Sequence, residues 1–215
     1  MTIKETDLFF TSRGEEAIRL QGILHHPGGK HLSAAVICHP HPLYGGSMDV
    51  SVVVSIAQTL TKRGVIALRL NFRGVGRSEG EFGEGMGELN DVAGAVDFLL
   101  RAEDVDQGKL YLVGYSFGAW VGLHYAEHDP RLCGVVAIGL PLWQSDEGFL
   151  SICARPKLFI AGEDDYVCPP DVLRRFVEGL PPPKEVRILR KTDHFLIGRE
   201  KEVAEAVADF ICQRS

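Results

Sequence analysis

A single serine stands where a predicted strand meets a predicted helix. After Lys109, residues 110–113 are apolar and β-prone, and apolar residues with helical spacing begin again at Gly118. Between them lies Gly114-Tyr-Ser116-Phe-Gly118, a Gly-x-Ser-x-Gly sequence in the strand-to-helix setting of a nucleophile elbow. The turn is so tight that side chains two residues before and after the serine would collide with neighbouring backbone. These residue types at this spacing predict that Ser116 is a nucleophile held above the edge of a sheet.

A nucleophilic serine needs two partners elsewhere in the chain. Its hydroxyl is a weak nucleophile near neutral pH, so a base must lie beside it to take the proton. Histidine suits that role, and a carboxylate must hold the imidazole in the correct tautomer. In an open parallel sheet such groups collect in loops at the carboxyl ends of the strands. We therefore expect an acid after a later strand and a histidine after the last one.

Both partners occur where this rule expects them. The predicted strand at residues 156–161 leads into Gly-Glu-Asp-Asp, and the last predicted strand, residues 184–190, leads into Lys-Thr-Asp-His194. The first of these loops offers three acids: Glu163, Asp164 and Asp165. Together with Ser116, His194 and one of these acids predict acyl transfer through an acyl-enzyme, in the chain order Ser…Asp…His.

The negative charge that forms on the attacked carbonyl oxygen needs backbone N–H donors. The residue after the nucleophile, Phe117, is expected to supply one, and the loop after the third strand the other. That loop, residues 39–43, reads His-Pro-His-Pro-Leu, and its two prolines have no N–H to donate. The candidate donors in the loop are therefore His41 and Leu43.

The elements that must position these residues alternate along the chain. Two strands come first, and from about residue 33 short apolar runs alternate with helical patterns. Such alternation with short connections indicates right-handed crossovers and a mostly parallel sheet flanked by helices. Eight strands are predicted, at residues 8–12, 17–26, 33–38, 65–72, 109–113, 132–140, 156–161 and 184–190. No linker or repeat interrupts the pattern, so we expect one three-layer α/β domain over residues 1–215.

Composition limits the partners of the chain. Of its 215 residues 45% are hydrophobic and 24% charged, and the net charge is −6 without any basic run. Nucleic acid and anionic membranes are therefore not expected partners. The N-terminus lacks the pattern of a secretory signal, and no apolar run approaches the ~20 residues that cross a bilayer, so a cytoplasmic protein is expected. Five scattered cysteines argue against disulfides and a thiolate zinc site, and nothing indicates an oligomeric state.

Longer motifs resemble those of a known family, the α/β-hydrolases. Residues 39–48 read His-Pro-His-Pro-Leu-Tyr-Gly-Gly-Ser-Met, and residues 71–78 read Asn-Phe-Arg-Gly-Val-Gly-Arg-Ser. Both segments resemble, more narrowly, a group of small lidless bacterial serine hydrolases that are described as esterases without an assigned substrate. The resemblance covers nearly the whole chain. It implies the α/β-hydrolase fold, a Ser-His-Asp triad and no cofactor.

The resemblance also decides between candidates that the spacing leaves open. Residues 162–169 match the family pattern Gly-x-x-Asp-x-x-x-Pro, which selects Asp165 as the acid with Asp164 as the alternative. By analogy with a His-Gly-x loop, His41 comes before Leu43 as the oxyanion donor, with Pro40 in place of the glycine.

Many relatives carry a cap domain after the strand that here ends near Leu140. Only residues 141–155 are available at that point, too few for a separately folded cap. We therefore expect no cap domain and an open site for small ester or acyl substrates. The side chains expected to line it are those of Tyr44, Tyr115, Leu142 and Trp143.

The predicted function is hydrolysis of carboxylic esters or thioesters by a serine hydrolase. The alternatives within enzymes are a small peptidase or amidase and an acyltransferase; outside enzymes, the alternative is a binding module on a hydrolase scaffold. His39 and His41 form a His-x-His pair, but no third ligand is expected nearby, so no metal site is predicted. Residues 73–80 are rich in glycine, but their Gly-x-Gly-x-x-x-Gly spacing and their strand do not fit a dinucleotide site.

Overall fold

The computed structural model describes residues 3–142 and 154–214, which form one sheet with helices on both faces. The strands are β1 (Lys4–Thr11), β2 (Arg19–His26), β3 (Leu32–Cys38), β4 (Ile66–Leu70), β5 (Val105–Tyr115), β6 (Leu132–Ile138), β7 (Lys157–Gly162) and β8 (Lys184–Leu189). The helices are α1 (Ser51–Lys62), α2 (Met86–Leu100), α3 (Phe117–His128), α4 (Pro170–Glu178) and α5 (Glu200–Cys212).

The sheet is mostly parallel, as predicted. Its eight strands lie in the order β1-β2-β4-β3-β5-β6-β7-β8. β2 runs antiparallel to both of its neighbours, and every pair from β4 to β8 is parallel. Parallel neighbours need crossover connections, and helices α1 to α4 lie in the connections β3–β4, β4–β5, β5–β6 and β7–β8. The predicted α/β class with an eight-stranded sheet is therefore confirmed.

The two faces of the sheet bury separate cores, which produces the three layers. β3 shows how the sequence does this: Ala34, Val36 and Cys38 point into one core, and Ala35 and Ile37 into the other. Successive side chains of a strand point to opposite faces, so a strand buried on both faces is apolar throughout. Helices α2, α3 and α4 cover the first core, and α1 and α5 cover the second.

Two strands begin four residues earlier than the sequence predicts. β1 starts at Lys4 rather than residue 8, and β5 starts at Val105 rather than residue 109. The added part of β1 lies at the sheet edge, where charged side chains are usual because they discourage pairing with other chains. The added part of β5 is mostly exposed and contains a glycine. Neither segment carries the apolar pattern that marks a buried strand.

No cap domain is present in the described part of the chain between β6 and β7. The predicted lining residue Trp143 belongs to residues 143–153, which lie outside the described residues. No helix in the described ranges combines the length and apolar character needed to span a membrane.

The elbow glycines allow β5 and α3 to pack closely against their neighbours. A Cβ on Gly114 would lie 2.2 Å from the Gly118 carbonyl oxygen. A Cβ on Gly118 would lie 2.5 Å from the carbonyl oxygens of Cys38 and His39, at the end of β3. Real Cβ atoms do not approach backbone this closely, so the two positions require glycine.

Replacing Gly118 by alanine should destabilise the fold by about 3 kcal/mol, the upper end of ordinary overpacking costs, because the obstacle is backbone. Urea unfolding measures this change. Gly108→Ala is the matched control, since its added Cβ would meet only the Asp106 side chain, at 3.4 Å, and we expect a change within about 0.5 kcal/mol. Equal stability of the two variants would contradict the packing described for the elbow.

Candidate active site

Ser116 occupies a strained turn between β5 and α3. Its backbone has φ 53° and ψ −116°, and a positive φ is uncommon for any residue except glycine. The Ser116 N–H donates a hydrogen bond of 2.7 Å to the carbonyl of Ile138 at the end of β6. The turn is thus held by the neighbouring strand, and such strain concentrates at functional sites.

The structure brings Ser116, His194 and Asp165 into one hydrogen-bonded chain. Ser116 Oγ lies 2.9 Å from His194 Nε2. On the other side of the ring, His194 Nδ1 lies 2.9 Å from Asp165 Oδ2 and 3.1 Å from Oδ1. His194 and Asp165 are buried, while Ser116 is half-buried. The three groups therefore have the contacts that nucleophile, base and acid require.

Asp165, and not its acidic neighbours, faces the histidine. Its Oδ1 accepts hydrogen bonds from the N–H groups of Val167 at 2.9 Å and Cys168 at 2.8 Å, which fix the carboxylate. Asp164 is exposed, and the Glu163 carboxylate accepts the backbone N–H of Lys191 instead. The loop after β7 therefore presents one of its three acids to the site.

Cys168 is a packing residue beside this loop. Its side chain is fully buried, and burial raises the pKa of the Cys168 thiol to about 12. A thiol that keeps its proton is not a nucleophile near neutral pH.

Tyr115 supports the histidine from inside the protein, which corrects the expectation that it lines the substrate. Its side chain is buried, and its hydroxyl donates a 2.8 Å hydrogen bond to the backbone carbonyl of His194. The side chain packs in the core that α1 and α5 cover, away from the open side on which Ser116 is presented. Burial and nearby carboxylates raise the pKa of Tyr115, so the phenol stays a donor.

Two glycines, whose packing role the sequence analysis missed, let the loops approach one another. A Cβ on Gly162 would lie 2.3 Å from the Thr192 carbonyl oxygen, so the loops after β7 and β8 meet only with glycine there. Gly139 has φ 56° and lies under the His194 ring, which a Cβ would meet at 3.0 Å. Gly162 opens the Gly-x-x-Asp-x-x-x-Pro pattern, but the pattern does not show that the glycine is needed for loop packing. A positive φ at Gly139, directly after β6, cannot be read from a single sequence.

His39 fixes the loop that follows β3. The ring is buried, and its Nε2 accepts the N–H of Phe72 at 3.1 Å. The proton is then on Nδ1, which donates to the Pro40 carbonyl at 2.6 Å. Burial lowers the pKa of His39 to about 4, which keeps the ring neutral. Both ring nitrogens are therefore engaged with backbone.

That contact orients the N–H of His41. The Pro40 carbonyl and the His41 N–H belong to one trans peptide and point in opposite directions, so holding the carbonyl aims the N–H the other way. Among the described residues no acceptor contacts the N–H of His41 or of Phe117. The N–H of Leu43, in contrast, donates to His41 Nδ1 at 3.2 Å. Of the two candidate donors in this loop, His41 is the one whose N–H is unused.

Aromatic side chains surround the loop. The His41 ring packs 4.8–5.0 Å from the rings of Tyr44, Phe82 and Phe117. Of the other predicted lining residues, Tyr44 is 88% exposed beside this loop, and Leu142 is half-buried and follows β6. The Phe117 contact brings the loop against the start of α3, next to Ser116.

The glycine-rich loop after β4 is held by a charge pair under its surface. Arg73 contacts the fully buried Asp91 of α2 at 2.8 Å, and its backbone N–H also donates to that carboxylate. The Glu88 carboxylate accepts the N–H groups of Gly83 and Gly85 and so caps α2. The contacts with Asp91 give Arg73 a structural role. In the described ranges no group of three potential metal ligands occurs, and the His39–His41 pair has no third member there.

Comparison with known proteins shows the family to which the chain belongs. Residues 34–155 match the family described as serine aminopeptidase, S33. An uncharacterised protein of Rickettsia prowazekii is 31% identical over 90% of this chain and 84% of its own length. A protein of unknown function from Agrobacterium tumefaciens superimposes with a TM-score of 0.87 at 32% identity, over 97% of this chain and 96% of the other.

An α/β serine hydrolase without a lid, from Xanthomonas campestris, superimposes with a TM-score of 0.84 at 26% identity, over 100% of this chain and 96% of the other. The family match covers more than half of the chain, and the structural similarity extends over nearly all of it. The chain therefore belongs to the α/β-hydrolases, in the family described as serine aminopeptidase, S33.

Proposed function

We propose that this α/β-hydrolase cleaves carboxylic esters with Ser116 as nucleophile, His194 as general base and acid, and Asp165 as the orienting carboxylate. The observation that carries the proposal is the continuous chain of hydrogen bonds from Ser116 Oγ through the His194 ring to Asp165. In this arrangement Asp165 keeps the imidazole proton on Nδ1, so that Nε2 can accept the serine proton.

The reaction proceeds in two halves. His194 takes the proton of Ser116 as Oγ attacks the ester carbonyl, and then gives that proton to the departing alcohol oxygen. The acyl group is left on Ser116 Oγ. His194 next takes a proton from water, which attacks the acyl-enzyme; the acid is released and the proton returns to Ser116. His194 takes up and then releases one proton in each half of the reaction.

The oxyanion that forms in both halves is assigned to the N–H groups of His41 and Phe117. Their lack of an acceptor in the described structure and the packing of His41 on Phe117 support this assignment. Preorganised N–H donors stabilise the developing charge without reorganising during the reaction. His39 acts on the reaction only through the Pro40–His41 peptide, and it is therefore a positioning residue.

His39→Ala should lower kcat for ester hydrolysis by about 10²-fold, because the freed peptide no longer aims the His41 N–H at the oxyanion. KM should change little, since the ground-state ester is barely held by this donor. Steady-state kinetics on a p-nitrophenyl ester measure both constants. His128→Ala, at the exposed far end of α3, is the histidine control and should keep the wild-type kcat. A wild-type kcat in His39→Ala would overturn the positioning role.

The same variant should change how stability depends on pH. Because folding lowers the pKa of His39 from 6.5 to about 4, the unfolded chain binds the additional proton between these values. Above pH 6.5 His39 is neutral in both states and costs no stability. As the pH falls to 4, its protonation in the unfolded chain lowers the free energy of unfolding by about 3 kcal/mol. His39→Ala should lack this component of the acid dependence, which urea unfolding at several pH values measures.

Peptide hydrolysis is the second candidate, because the matching family is described as serine aminopeptidase. Esters are favoured here because an ester carbonyl is less stabilised by resonance, and so more readily attacked, than an amide carbonyl, and no cap covers substrate in the described part of the site. A p-nitrophenyl ester, a thioester and a p-nitroanilide with one common acyl group discriminate between the candidates. We expect kcat/KM of about 10⁴ M⁻¹s⁻¹ or more for the ester and no detectable cleavage of the anilide. Faster cleavage of an aminoacyl anilide than of the matching ester would reverse the assignment.

A further inference from the structure

Two exposed aromatic rings stand beside His194. Tyr166 is 69% exposed and Phe195 is 55% exposed. Their ring centroids lie 6.5 Å and 6.1 Å from the centre of the imidazole. Tyr166 follows the acid in the loop after β7, and Phe195 follows the histidine in the loop after β8. Two separate loops thus bring apolar surface to one catalytic group.

The backbone that carries these rings is fixed by the same contacts that hold the acid and the base. Asp165 accepts the N–H groups of the two residues after Tyr166, and Asp193 Oδ1 accepts the Phe195 N–H at 2.9 Å. Neither ring is required for the core, since both face solvent. Their positions relative to His194 are therefore set by the catalytic loops themselves.

The course of the reaction determines which part of an ester lies here. His194 Nε2 must come within about 3 Å of the departing oxygen to protonate it. The carbonyl oxygen points instead towards the N–H groups of His41 and Phe117. Around a tetrahedral carbon these two requirements direct the alcohol portion towards His194 and the acyl portion away from it. The carbon atoms of the alcohol are then the part of the ester nearest to Tyr166 and Phe195.

We propose that Tyr166 and Phe195 form a leaving-group subsite that selects esters of apolar alcohols, aromatic ones above all. The inference rests on the proposed function and names the substrate class of that site. Aromatic rings bind other rings in offset or edge-to-face arrangements more strongly than their buried area alone implies. A benzyl alcohol portion should therefore gain more from the two rings than a methyl portion.

The subsite acts on one half of the reaction only. In acylation the bond from Ser116 Oγ to the carbonyl carbon forms and the bond to the alcohol oxygen breaks, and the alcohol leaves with the serine proton. Water then hydrolyses an acyl-enzyme that no longer contains the alcohol. Loss of either ring should consequently slow acylation by aromatic esters and leave deacylation unchanged.

The test compares benzyl and methyl esters of one carboxylic acid in Tyr166→Ala, Phe195→Ala and Tyr166→Phe. Each alanine variant should lower the benzyl-to-methyl ratio of kcat/KM about 10-fold, whereas Tyr166→Phe keeps the ring and should keep the ratio. Ile3→Ala removes an exposed apolar side chain at the opposite edge of the sheet and should also keep it. A series of methyl esters of increasing acyl length should give the same profile in every variant.

Three results would each overturn the subsite. One is an unchanged benzyl-to-methyl ratio in both alanine variants. Another is a change in the acyl-length profile, which would place the rings at the acyl portion. The third is an equal loss of kcat/KM for all esters together with slower deacylation. The deacylation rate is measured from the steady state after the burst with a p-nitrophenyl ester, and its loss would show that the rings only hold His194 in place. Failure of the proposed function is seen separately, as absence of any acyl-enzyme on Ser116 in the wild-type protein.

Discussion

Replacing Ser116 by alanine is expected to lower kcat for ester hydrolysis by about 10⁴–10⁶-fold without unfolding the protein. Alanine keeps the Cβ and the strained turn but removes Oγ, the atom that forms the acyl-enzyme. The remaining His194 can only assist water. Initial rates with a p-nitrophenyl ester measure the loss, and urea unfolding checks that stability is kept. Ser51→Ala, at the exposed start of α1, is the serine control.

A double variant makes this prediction sharper. In the proposed mechanism Ser116 and His194 act as one unit, so removing both should cost hardly more than removing the serine alone. If Ser116→Ala/His194→Ala instead multiplies the losses of the two single variants, the two residues act independently. Their 2.9 Å contact would then be structural and not part of the reaction.

Asp165→Asn should lower kcat by about 10⁴-fold while the shape of the site is kept. An asparagine can present its amide N–H₂ group to His194 Nδ1, and the imidazole proton then moves to Nε2. In that tautomer Nε2 cannot accept the proton of Ser116. The measurement is again kcat on a p-nitrophenyl ester, together with labelling of Ser116 by a fluorophosphonate, which should slow in parallel.

Asp164→Asn is the matched control for this variant. It makes the same chemical change one residue earlier, at an exposed carboxylate without a contact to His194 among the described side-chain hydrogen bonds. Its kcat should stay near the wild-type value. A larger loss of kcat in Asp164→Asn than in Asp165→Asn would show that the acid has been misassigned.

Two of the three proposed catalytic residues were predicted from the rule that such groups collect in loops at the carboxyl ends of parallel strands. Ser116 directly follows the apolar end of β5, and His194 lies in the loop after β8; the structure brings the two within hydrogen-bond distance. The acid was harder because Glu163, Asp164 and Asp165 share one loop, and periodicity does not distinguish three adjacent carboxylates. The distinction depends on the N–H groups of Val167 and Cys168, which hold only one of them in place.

Features that depend on three-dimensional contacts were beyond the sequence. Tyr115 was expected to line the substrate site. Whether a side chain beside the elbow faces the substrate or the core depends on the packing around β5, which the sequence does not show. The tautomer of His39 is set by the N–H of Phe72, which lies in the loop after β4. The first residues of β1 are charged or polar, as suits an edge strand, so they lack the apolar pattern by which a strand is predicted from sequence.

The most direct test of the account is the site of covalent modification by a fluorophosphonate. Phosphonylation needs a serine activated by a base, so it reports the proposed chemistry without knowledge of the natural ester. Mass spectrometry of the digested protein should find one adduct, on the peptide containing Ser116, with no adduct in Ser116→Ala. An adduct on another residue, or folded wild-type protein that stays unlabelled, would contradict the assignment of Ser116 as the nucleophile.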